Sequence, residues 1–130
     1  MALSYHINSD RALIVLTRTH HPGSDEWEAF LEGVLADPAF EPGFGVLDDR
    51  RGVKEVPSRP EVERLARWMG EGGARLGSTR WAIVVANDSP AAFGMARVTE
   101  ALTSRLKITV RAFTDYETAS AWAEGNVEAT

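Results

Sequence analysis

Cysteine is missing altogether from this 130-residue chain, which excludes a disulfide framework, a thiolate nucleophile and a cysteine-based zinc site. That absence is compatible with a reducing compartment, and cytoplasmic localisation is the default expectation. Long apolar runs are missing too. Stretches such as residues 12–16 fall far short of the roughly 20 residues that cross a bilayer, and no charged-then-apolar leader opens the chain, so membrane insertion is not expected. Positive charge is scarce: 14 Lys and Arg against 19 Asp and Glu leave a net charge of −5. The arginines are scattered, and Arg50-Arg51 is too short to form a basic patch, so a nucleic-acid partner is not expected either. No glycine-rich phosphate loop occurs, and no cofactor is called for. What remains is ordinary for a chain with a packed interior, 44% hydrophobic and 25% charged, and long enough for one domain. That domain is expected to span residues 1–125, followed by a polar tail at 126–130.

The most informative stretch is Trp81-Ala-Ile-Val-Val-Ala86 followed by Asn87-Asp88-Ser89-Pro90. A strand apolar on both faces runs within three residues into a helix start, as in a βα unit of a largely parallel sheet. Upstream, residues 3–8 alternate Tyr5 and Ile7 with Ser4, His6 and Asn8, a strand with one wet face. Ser9-Asp10 reads as a tight turn into a more apolar second strand at 12–16, giving an opening hairpin. Asp25, with Glu28 three positions on, is expected to cap a helix whose buried face carries Trp27, Phe30, Leu31, Val34 and Leu35. Residues 44–47 form a short third strand that the polar run from Asp48 ends. Ser58 and Glu61 have capping-box spacing for a second helix with Val62, Leu65, Ala66 and Met69 inward. The helix after Ser89 places Ala91, Met95, Val98, Leu102 and Leu106 on one side and Phe93 on the other. A fifth strand at 108–113 and a helix capped by Thr114, with Tyr116, Ala119, Trp122 and Ala123 inward, complete the order. The fold class is therefore α/β: a single, mixed but mostly parallel five-stranded sheet with an N-terminal hairpin and four helices.

That order of elements, with Gly45-Val-Leu-Asp48, Trp81-Ala-Ile-Val-Val85, Phe93-Gly-Met-Ala-Arg97, Val110-Arg-Ala-Phe113 and Ala119-Ser-Ala-Trp122, resembles the SpoIIAA-like group of STAS domains over most of the chain. The resemblance implies a STAS/SEC14-like sheet with helices mainly on one face, and regulatory or ligand-binding roles more readily than catalysis. The regulators of this group present a phosphorylatable serine in an Asp-Ser-Ser-Gly-like turn at a helix start. The matching loop here reads Glu55-Val-Pro-Ser58-Arg-Pro-Glu61 and lacks that turn, which leaves Ser58 as the candidate phospho-acceptor.

Each candidate residue has a structural and a functional reading. Ser58 and Ser89 are both natural N-caps, worth roughly 1 kcal/mol each. Helix starts at the carboxyl ends of parallel strands are also ligand sites. Phe93, placed opposite the predicted core stripe, is free for a ligand or partner. Trp68, off the stripe of its helix, reads as a rim or interface residue. Asp48 and Asp49 point to opposite faces in extended chain, so one of them can meet a pocket. If helices cover one sheet face, the apolar residues on the other need a cover, and a homodimer would supply it. The function expected is a noncatalytic regulatory or ligand-binding module. It would bind an apolar small molecule or a regulatory protein through Phe93, Ser89, Asp48 and Trp68. A phosphorylation-controlled switch at Ser58 is the alternative, and a small metal-assisted hydrolase built on the His20, His21 and Asp48 loops is the second alternative.

Overall fold

Five strands lie side by side in the order in which they occur along the chain. The computed structural model describes residues 3–125; the polar tail expected at 126–130 lies outside the described residues. β1 (Leu3–Asn8) pairs antiparallel with β2 (Leu13–Arg18), and β3 (Gly45–Asp49), β4 (Thr79–Val84) and β5 (Ile108–Phe113) follow in parallel. The helices are α1 (Ser24–Leu35), α2 (Arg59–Gly70), α3 (Pro90–Leu102) and α4 (Tyr116–Ala123), with a short 3-10 turn at Gly72–Leu76 after α2. The opening turn is longer than the predicted Ser9-Asp10. It runs to Ala12, whose φ of 51° is left-handed, because Asn8 is in register with Leu13.

This order decides where the helices sit. When successive parallel strands are laid down in one direction, right-handed crossovers put every connecting helix on the same face. That face holds the larger core. Ile14, Leu16, Val46, Trp81, Ile83 and Val85 of the sheet meet Trp27, Leu31 and Val34 of α1, Val62, Leu65 and Met69 of α2, and Ala96 of α3. Among the described residues α4 connects no pair of parallel strands, so it is free of that constraint and lies on the other face. There Ala119, Trp122 and Ala123 cover Leu13, Leu47, Ala82 and Val84. The close approach requires Gly45, where a Cβ would lie 2.0 Å from the Ala123 carbonyl oxygen. The bare apolar face that argued for a homodimer is therefore not bare. Beyond α4 the same face ends in exposed Ser4, His6, Thr109 and Arg111.

Several local expectations change. Gly23 precedes α1 as its N-cap without a side-chain bond, so Asp25 lies in the first turn and bonds Arg64 at 2.5 Å instead of capping. Asp115, not Thr114, caps α4, accepting from the Thr118 N–H at 2.8 Å. α3 is turned about its axis relative to the predicted stripe: Ala96, Thr99 and Thr103 are buried, Phe93 packs partly buried against the larger core, and Leu102 is exposed. Two threonines can take core positions because their hydroxyls donate back to the carbonyls of Met95 (3.0 Å) and Thr99 (2.8 Å), which removes the cost of burying an unpaired hydroxyl. Trp68 is also inside, not at a rim. It is buried under the 3-10 turn, where a Cβ at Gly72 or Gly73 would come within 2.9 and 2.8 Å of its ring, and its indole N–H donates to Glu32 at 3.1 Å. The cover comes from outside α2, so periodicity within that helix could not show it.

Candidate functional site

β3 runs through Asp48 to Asp49 instead of ending at residue 47, and the reason is the company Asp48 keeps. In register between Leu16 and Ile83, it points into the larger core and is fully buried. Arg18, on the same side of β2 as Ile14 and Leu16, reaches it through Nη2 at 3.1 Å; Arg50, just past β3, reaches it through Nη2 at 2.8 Å and Nε at 3.0 Å. The Trp81 indole N–H donates to the same carboxylate oxygen at 3.3 Å. Burial alone would raise the Asp48 carboxyl, but the two guanidinium groups outweigh it and hold it down at about 2. Burial first, and the charge of Arg50 second, lower Arg18 to about 10 against the pull of Asp48. Arg18 also sits over the Trp27 ring, 3.7 Å from its centre, a cation–π contact that offsets part of its desolvation. Asp49 points away, as extended chain requires, and pairs with Arg51 at 2.9 Å.

Two adjoining hollows open above this cluster at the carboxyl ends of the strands. Arg18, His21, Arg50 and Pro57 line both; Trp27, Glu61 and apolar Val62 and Leu65 add to the first, and Glu55, Ser89 and apolar Val53 and Val85 to the second. Each has a cavity volume of about 30 Å³, room for one or two water-sized groups. His21 Nε2 sits 2.7 Å from Glu61 Oε2, and the other carboxylate oxygen of Glu61 accepts from the Ser58 backbone N–H at 2.8 Å. Partial burial would raise the Glu61 carboxyl, but the Ser58 N–H and His21 hold it below its ordinary value.

The structure brings together some of the predicted residues and separates others. Asp48 lies beneath Arg18 and Arg50, whose side chains line both hollows, and Ser89 stands on the wall of the second while capping α3 through its contact with the Ala92 N–H at 3.3 Å. Ser58 is exposed at the start of α2 and completes the capping box read from its spacing. Phe93 lies against the core, and Trp68 sits on the last turn of α2, toward the far end of the sheet. The histidines do not converge with Asp48 on a hydrolytic centre: His20 faces Glu26 at 3.5 Å, His21 faces Glu61, and Asp48 is held by its arginines. Among the described residues no three His, Asp or Glu side chains gather as a metal would need. The apolar space between α1 and the sheet, lined by Leu31, Val34, Val46 and Trp68, has a cavity volume of about 10 Å³, too small for a lipid-like molecule. Arg18, Arg50 and Trp27 are the site residues that sequence reasoning missed. The available signal was Arg18 itself, a charge in step with Ile14 and Leu16, which demands a buried counter-ion.

No protein-family model matches the chain, and no curated protein matches it. Among solved structures it is similar to an uncharacterized protein of the DUF3478 family with a SpoIIAA-like fold from Shewanella loihica PV-4. The two are 18% identical over 94% of this chain and 92% of the other, with a TM-score of 0.59. The sheet order and helix placement described above are thus those of a SpoIIAA-like fold. No helix among the described residues is long and apolar enough to cross a membrane.

Proposed function

We propose that this chain, a SpoIIAA-like fold with an arginine-bordered cleft at the carboxyl ends of its strands, is a noncatalytic regulatory module that receives a partner in that cleft. The state of Asp48 carries the reading. It is the one fully buried carboxylate there, and two arginines keep it ionised to about pH 2, so it has no proton to give and no basicity to offer near neutrality. Buried beneath Arg18 and Arg50, it positions their guanidinium groups, an arrangement that suits recognition of a polar group more than bond breaking. The apolar small molecule expected from the sequence is not the occupant this geometry favours, because the strand-end hollows hold only about 30 Å³ each and the apolar space under α1 about 10 Å³. A mass retained on the native protein isolated from its own source, and lost when Arg50 is replaced by Gln, is the expected result of native mass spectrometry. Hydrolytic turnover that depends on His21 would sink the reading.

A second reading has one observation behind it. Ser58 is exposed beside Pro57, which lines both hollows, so a phosphate on its hydroxyl would stand at the rim of the cleft. It ranks second because the Ser58 hydroxyl already caps α2, accepting from the Glu61 N–H at 3.3 Å.

A further inference from the structure

The floor of the cleft is unbalanced. Arg18 and Arg50, with side chains 6% and 11% exposed, share the single buried carboxylate of Asp48, which leaves one positive charge in a region shielded from water. Such a charge is costly unless an anion or an aromatic face offsets it. Trp27 provides the face. It also provides an unmet donor: its indole Nε1–H is buried with no hydrogen-bond partner, although Trp27 itself is only 5% exposed and lines the first hollow. Unsatisfied buried donors are rare in folded proteins and call for an explanation.

We propose that the first hollow is a site for a single oxyanion, a carboxylate or phosphoryl group carried by the partner, held by Arg18 and Arg50 with the Trp27 indole in its wall. This rests on the reading of the chain as a binding module and names the group that the module takes. Trp27 fixes the placement, since it lines the first hollow and not the second. Each hollow has one acid in its lining, Glu61 in the first and Glu55 in the second, and the Glu61 oxygens are turned to the Ser58 N–H and to His21 Nε2. A volume of about 30 Å³ admits the oxygens of one such group and no ring. Guanidinium groups suit this task because they bind planar or tetrahedral oxyanions through paired N–H donors.

Inorganic phosphate and acetate, titrated separately into the full chain at neutral pH against chloride of equal ionic strength, test the proposal. The Trp27 indole proton is followed by NMR. A saturable shift of that resonance is expected, weakened about tenfold or more in Arg50→Gln, as loss of one charge-assisted hydrogen bond implies. The shift is expected to be unaltered in Arg59→Gln, whose side chain pairs with Glu63 on the exposed face of α2. Phosphate alone producing it assigns a phosphoryl group; acetate producing it assigns a carboxylate. No saturable shift with either probe overturns the proposal, and so does a shift that Arg50→Gln leaves unchanged. The wild-type titration decides the matter by itself should Arg50→Gln fail to fold. Turnover dependent on His21 would end the module reading while leaving the oxyanion site intact, whereas a silent Trp27 beside a retained native partner would end only the oxyanion site.

Discussion

Asp48 shows what a single residue can settle. Its carboxyl drops from an ordinary 3.8 to about 2 on folding, so ionised Asp48 stabilises the fold fully above about pH 4. That contribution, roughly 2 kcal/mol by linkage, disappears as the pH falls through 2. Denaturant titrations of the wild type between pH 5 and pH 2 are expected to show this acid limb. In Asp48→Asn that part of the limb should vanish, while stability at pH 7 falls by about 3–5 kcal/mol, because two guanidinium groups are left buried without their counter-ion. A variant as stable as the wild type at pH 7 would mean that the cluster is hydrated and not a buried ion pair. Asp48 was visible in the sequence as a strand-end carboxylate. Its pairing with Arg18 was not, because Arg18 lies 30 residues away and strand register alone brings the two together.

At the scale of elements, α3 is the instructive case. Its hydrophobic pattern favours a face with Met95, Val98 and Leu102, yet the buried positions are Ala96, Thr99 and, just past its end, Thr103. A pattern that counts threonine as polar misses this, since the hydroxyls donate to carbonyls one turn back and the side chains can then be buried. Leu102, 39% exposed, is accordingly expected to tolerate Lys within about 0.5 kcal/mol. Thr99→Lys, which forces an ammonium into a fully buried position, is expected to abolish cooperative thermal unfolding. The reverse order of severity in a melting experiment would return α3 to the orientation read from its sequence. Caps were more legible: Ser58 and Ser89 act where their spacing placed them. Asp25 and Thr114 did not, because a cap depends on one residue's backbone angles, and an adjacent residue can take the position.

For the whole molecule, the consequence of the topology is that both sheet faces are covered from within. α4 is the only element on the second face among the described residues, and Trp122, 2% exposed, is its largest anchor. Trp122→Ala is expected to cost about 3–5 kcal/mol. It should also expose the sheet residues Leu13, Leu47, Ala82 and Val84, so that sedimentation becomes concentration-dependent while the intact chain keeps one sedimentation coefficient. Concentration-dependent association of the intact chain would show that some other surface pairs. Gly45→Ala offers an independent check on the same contact, since the added Cβ collides with the Ala123 carbonyl and cannot be relieved by turning a side chain.

The sequence by itself determined the order and type of the elements, the hairpin followed by parallel strands, the caps at Ser58 and Ser89, and thereby the fold class. Each of these is encoded by neighbours within a few residues, through alternation, helical period and backbone capping. Only the tertiary structure decided which face α3 buries, that Trp68 lies under the 3-10 turn, that α4 closes the second face, and that Arg18, Asp48, Arg50 and Trp27 form one cluster. Those outcomes depend on groups distant in the chain. Burial and ion pairing are properties of a position in space, and register and packing alone bring such groups together.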